Sequence, residues 1–249
     1  MPDLNLPGYI EESGIIGAPI QYEWDSQIEL QHFGERDQNV KLYRAIDRSN
    51  YRVKYALGVA VTEWLVWRFH GHANLADIFN RLEAAWANEI HPAYSRTLRF
   101  NLTKETVFSE NPRIDGPLKL ITNFLGDIRA HYYNGNIYIA DPIVKQVMLA
   151  KRVLPPQKAF EEWLQDRVRA AAEKFPRGTA YNRNTEKYDF FREKSVPREF
   201  FDRGFEYSES AALECFRLFL ATLDPTKNRY LCSPDEMRER GFSGVPYTI

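Results

Sequence analysis

Apolar residues recur at helical spacing most clearly over residues 49–70, where Val53, Leu57, Ala60, Trp64 and Trp67 form one stripe. Tyr55, Val59, Val61 and Leu65 fill most of the remaining circumference. A helix that is apolar nearly all round needs cover on several sides, so this one is expected at the centre of the fold. Gly71 follows as its stop, and Asn74 is placed to cap a helix carrying Leu75, Ile78, Phe79, Leu82, Trp86 and Ile90. His91-Pro92 ends that helix.

Further starts are marked by Asp115-Gly116-Pro117 and Asp141-Pro142, each followed by an apolar stripe. Leu118, Ile121, Leu125, Ile128 and Tyr132 form the first stripe, and Ile143, Val144, Val147, Met148 and Leu154 the second. Helices are also predicted over 37–46, 157–175 and 209–223. The capping box Ser233-Pro234-Asp235-Glu236 opens a last short one.

Periodicity fades in three places. Residues 1–33 are rich in proline and glycine and read as an extended leader, with a short strand near 28–33. Phe100, Leu102 and Val107 leave 95–112 open between strand and loop, and 176–207 has no helical period. The expected architecture is therefore mainly α: an irregular multi-helix bundle with at most one or two short strands. Residues 1–249 are read as one domain, with an extended acidic leader (1–36), a helical core (37–175), and an aromatic and basic loop plus C-terminal helices (176–249).

Composition adds limits. The 249 residues are 44% hydrophobic and 27% charged, which is globular usage, and the 14% aromatic share supplies a sizeable core. Two cysteines, Cys215 and Cys232, are too few for a disulfide framework. No segment reads as a signal peptide or reaches the ~20 apolar residues of a membrane span, so no membrane insertion and a cytoplasmic setting are expected.

The net charge of −1 leaves no global field to draw nucleic acid, but it hides an asymmetry. Residues 1–38 hold eight acids, Glu11, Glu12, Glu23, Asp25 and Glu29 among them, against Arg36 alone. The following stretch reverses the sign with Lys41, Arg44, Arg48, Arg52 and Lys54 against Asp47. Either the acidic leader lies across the basic helix, or it is displayed to a basic partner.

Candidate chemistry is sparse. His70 and His72, with Asp77 nearby, are a possible borderline-metal set, although the spacing fits no known signature and a helix end favours histidine anyway. Asp127 and His131, four apart on one helix, have the spacing of an oriented base and equally of a surface pair. Glu63 falls inside the apolar helix, where a carboxylate needs a partner; Arg68, Arg81 and Arg129 are the candidates. Facing a cleft instead, it would be a base with a raised pKa.

The stretch 174–207 interleaves bases and aromatics, including Arg183, Tyr188, Arg192 and Arg198, as single-stranded nucleic-acid binding requires. Its acids nearly cancel that charge, which favours a protein-contact loop, and the pairs Phe190-Phe191 and Phe200-Phe201 suit core plugs. Phosphate-loop, dinucleotide, nucleophile-elbow, zinc and calcium signatures are absent from the sequence, and no metal or cofactor is expected. The leading expectation is a non-enzymatic protein-binding module with a basic partner, of the kind an immunity- or antitoxin-like inhibitor of a bacterial toxin would be. An enzyme using Glu63, His70 and His72, or Asp127 and His131, is the first alternative, and nucleic-acid binding through 174–207 the second.

Overall fold

The computed structural model describes residues 5–33, 39–98, 108–155, 158–178 and 193–249. Over these, the chain forms α1 (Gly8–Glu11), α2 (Ser26–Phe33), α3 (Val40–Ile46), α4 (Tyr51–Arg68), α5 (Ala76–Ile90), α6 (Pro112–Tyr133), α7 (Ala140–Val153), α8 (Lys158–Lys174), α9 (Glu209–Thr222) and α10 (Pro234–Glu239). Among the described residues there are also two 3-10 turns, Pro92–Tyr94 and Arg198–Phe201. Extended pairing among the described residues amounts to two isolated bridges, Ser49 with Pro176 and Ser95 with Leu231. The fold is mainly α, as the periodicity predicts.

Helix α4 is the axis. Asn50 caps it by accepting from the Val53 amide at 3.0 Å, and all of its 18 residues are buried. Helices α5, α6, α7 and α8 pack around it. Gly58 sets how close two of them come, because a Cβ there would lie 2.9 Å from Ile128 Cδ1 and 3.1 Å from Ile143 Cγ1. The Thr62 hydroxyl on this axis is bonded internally, donating to the Gly58 carbonyl at 2.8 Å and accepting from Gln146 Nε2 at 2.6 Å. No described helix is long and apolar enough to cross a membrane.

The leader is built into the core. Tyr9, Ile10, Ile15 and Trp24 are buried, and the Arg68 guanidinium donates to the carbonyls of Ala18, Pro19 and Val153 at 2.6, 2.7 and 3.0 Å. The pairing of leader acids with the basic helix that one of the two readings supposed is absent among the described residues; Asp3, Glu35 and Asp37 lie outside them. Arg52 pairs with Glu89 and Lys54 with Asp47, while among the described residues the leader acid with a cationic partner is Glu23, on Arg113.

Two local expectations are corrected. Residues 28–33 belong to a helix, not a strand: Asp25 caps it through the Ile28 amide at 2.8 Å. Leu30, whose alternation with Ile28 suggests a strand face, stands 66% exposed. Helix α6 starts a turn before Asp115, with Asn111 as its cap. Asp115 instead accepts from the Phe108 and Ser109 amides at 3.1 and 2.7 Å and ties down the incoming chain. Phe200 and Phe201 are buried plugs, held where the Phe201 carbonyl accepts from Trp163 Nε1 at 2.9 Å. Phe190 and Phe191, and the 99–107 part of the undecided segment, lie outside the described residues.

Candidate functional site

The sequence candidates for catalysis resolve mostly into structural roles. Glu63 is completely buried and accepts from Tyr9 Oη at 2.8 Å, Trp86 Nε1 at 3.0 Å and Arg198 Nε at 2.7 Å. Its ionic partner is therefore Arg198 and none of Arg68, Arg81 or Arg129. Burial opposes the Arg198 charge, but Glu63 and Tyr9 outweigh it and raise its pKa above the ordinary arginine value. Burial and the Glu63 charge push the Tyr9 phenol well above its usual range. Arg198 Nη2 also donates to the Asn5 carbonyl at 2.7 Å, so one guanidinium fastens the leader to the 3-10 turn.

His70 and His72 lie past the end of α4. His70 tilts against the Trp67 ring at 5.1 Å, and His72 Nε2 stands 3.1 Å from the Ala18 carbonyl. Asp77 faces elsewhere, accepting from Arg81 at 2.8 Å and from Arg229 and Tyr230. Among the described residues no three carboxylate, thiol or imidazole groups converge as a metal site requires. Asp127 is exposed, and burial lowers the His131 pKa against the pull of Asp127 and Asp141. The His131 carbonyl accepts from Tyr51 Oη at 2.5 Å, which ties that turn of α6 to α4.

Of the basic loop residues, Arg183, Tyr188 and Arg192 lie outside the described residues. The described bases of that stretch include several that are committed within the fold: Arg177 to Asp47, Lys194 to Glu209, Arg198 to Glu63, and Arg203 to Glu162 and Asp166.

The leader acids separate into two groups. Glu11 and Glu12 are exposed at the end of α1. Asp25 and Glu29 line a groove of about 260 Å³ between the start of α2 and the start of α6, and Glu23 is paired with Arg113. Its floor is Trp24, which is buried, stacks on His32 at 5.8 Å and 5°, and presses its indole edge against Gly116. A Cβ at Gly116 would fall 2.0 Å from Trp24 Nε1, so the glycine makes the seat. Asp25, Glu29, Glu110 and Asp115 line the groove against one ammonium, Lys119, which sits 3.5 Å from Asp115. Burial and nearby Arg152 lower the His32 pKa, so the imidazole beneath is neutral near pH 7 and leaves the groove acidic.

A second cavity, of about 180 Å³, opens between α5, the segment around the 3-10 turn Arg198–Phe201, and α9. Glu83, Trp86, Glu89, Glu199, Phe216 and Phe219 are among its walls. Glu89 is fully buried; burial pushes its carboxyl up to about 7, against the opposing pull of Arg52 and the Val196 amide. Cys215 lies here too, but burial and Glu199 hold its thiol at about 12, far from the thiolate a nucleophile needs. Sequence reasoning passes over Glu83 and Glu89. The available signal is their spacing, three positions either side of Trp86 on an otherwise apolar helix face.

No protein-family model, no curated protein and no solved structure matches the chain.

Proposed function

We propose that the protein is a non-enzymatic binding module that presents the Trp24 groove to a basic segment of another protein. The observation that carries this reading is the groove itself: Asp25, Glu29, Glu110 and Asp115 surround a fixed aromatic floor, with Lys119 the one cation among the described lining residues. Asp25 and Asp115 are partly used by backbone amides, which leaves Glu29 and Glu110 as the acids best placed to meet incoming charge. Such a surface speeds encounter with a basic partner and selects against acidic ones. Glu11 and Glu12 extend the same sign of charge along the leader. Occlusion of a basic working surface is what an immunity- or antitoxin-like inhibitor does, and this is the role the charge layout suits.

The test is capture from the native host with the tagged wild-type chain and with the Glu29→Lys, Glu110→Lys chain, read by mass spectrometry. A stoichiometric basic protein retained by the first and lost by the second is the expected result. A partner retained equally by both would move the interface away from this groove.

A further inference from the structure

A groove of about 530 Å³ lies between α3, the end of α7 and α8, and shares no lining residue with the Trp24 groove or with the cavity beside α9. Helix α8 builds most of it through two parallel rows, each with a residue every fourth position. Leu164, Val168 and Ala172 form the apolar row, faced across the groove by Leu42 and Ala45 of α3. Glu161, Gln165, Arg169 and Glu173 form the polar row and are exposed. From Glu161 to Glu173 the rows run roughly 18 Å, at the 1.5 Å per residue of an α-helix. The result is an elongated apolar trough with a charged lip.

The charges on that lip differ from end to end. At the Glu161 end, Lys151 Nζ of α7 stands 3.4 Å from the Glu161 carboxylate, and the two cancel. Arg169, further along, pairs with Asp166 at 2.7 Å. At the far end the chain leaving α3 meets the chain leaving α8. The Arg48 carbonyl accepts from the Arg177 amide at 2.8 Å, and the Asn50 amide donates to the Phe175 carbonyl at 2.7 Å. Arg48 is thereby set beside the last turn of α8, which carries Glu173. Both side chains are exposed and line the groove, and neither has an ion-pair partner among the described residues. The Asp47 carboxylate next to Arg48 is taken by Lys54 and Arg177.

One end of an apolar trough thus offers a guanidinium and a carboxylate together. A lone anion there meets the carboxylate as well as the guanidinium, and a lone cation meets both in the opposite sense. A head group that carries both charges satisfies each. We propose that this groove binds a zwitterionic single-chain amphiphile, with the anion of its head on Arg48, its ammonium on Glu173 and its alkyl chain along Leu164, Val168 and Ala172. The size agrees, since small-molecule sites occupy about 300–1,000 Å³ and are mostly apolar with a few placed polar groups.

The test is calorimetric titration of the full chain with decylphosphocholine, decanoate and decyltrimethylammonium. Each is kept below its micelle concentration, so that the free molecule and not an aggregate or bilayer is the ligand. The zwitterion is expected to bind roughly fivefold more tightly than either singly charged chain, the upper end for one partly exposed charge pair. Arg48→Gln is expected to remove its advantage over decyltrimethylammonium, and Glu173→Gln its advantage over decanoate. Both positions are exposed, so neither substitution threatens the fold. Ala172→Gln, which fills the trough without adding charge, is expected to weaken all three ligands. Equal affinity for the three chains, or no binding of the zwitterion, overturns the proposal. Self-association of the chain in sedimentation with no amphiphile taken up would overturn it too, and would assign the groove to a second copy.

Discussion

Replacing Arg198 with alanine would strand the Glu63 carboxylate, whose side chain is 1% exposed, with two neutral donors and no counter-charge. Breaking a buried ion pair from one side costs about 3–5 kcal/mol, and Arg198→Ala is expected to lower the unfolding free energy by that order in a denaturant titration. Glu89 gives a different signature. Its folded carboxyl keeps a proton up to about 7, whereas the unfolded one releases it near the ordinary 4.5. The folded chain thus binds more protons between those values, and the contribution of Glu89 to stability is full below about 4.5 and lost as pH rises through about 7. The loss is on the order of 3 kcal/mol, and Glu89→Gln is expected to flatten that part of the stability–pH curve measured by denaturant midpoints. Neither partner set is legible in the sequence. Glu63 finds Arg198 at a separation of 135 residues, and Glu89 finds Val196 at 107, while the arginines near Glu63 in sequence serve carbonyls and other acids.

Helix α6 carries the clearest prediction at the level of elements. Gly116→Ala would drive a methyl into the Trp24 indole, a flat ring that cannot yield as a flexible chain end would. Overpacking of this sort costs about 1–3 kcal/mol. The cost falls on the leader's docking and not on the α4 axis, so the variant is expected to shift tryptophan fluorescence and speed proteolysis near α2 with helix content retained. Elements of this kind are readable in advance because their apolar residues recur every three to four positions. Trp64 and Trp67 on α4, Leu118 to Tyr132 on α6, and the Ser233–Glu236 capping box on α10 all occupy the places that spacing assigns. The exceptions have a shared physical cause. Residues 28–33 mimic a strand because Ile28 and Leu30 alternate over too short a span, and the helix there is decided by the Asp25 cap and by contacts with α6 and α7. Asp115 resembles a cap in sequence, yet a tertiary need, anchoring the Phe108 and Ser109 amides, takes its carboxylate.

Across the whole molecule, the leader passes over the bundle so that acids from residues 23–29 meet acids from 110–115, segments joined by the Glu23–Arg113 pair 90 residues apart in sequence. The acidic run is visible in the sequence, but the groove is not, because half of its carboxylates and the glycine under Trp24 come from the distant segment. If the groove meets a basic partner, association should be governed by charge carried at an exposed rim, where salt screens strongly. The most direct measurement is the dissociation constant for the captured partner as salt is raised from about 0.05 to about 0.3 M, for the wild-type chain and the Glu29→Lys, Glu110→Lys chain. The account predicts that wild-type binding weakens steeply with salt, mainly through a slower association rate, and that charge reversal weakens binding at low salt by roughly tenfold or more while reversing the salt trend. Binding that is indifferent to salt and to both substitutions would contradict it.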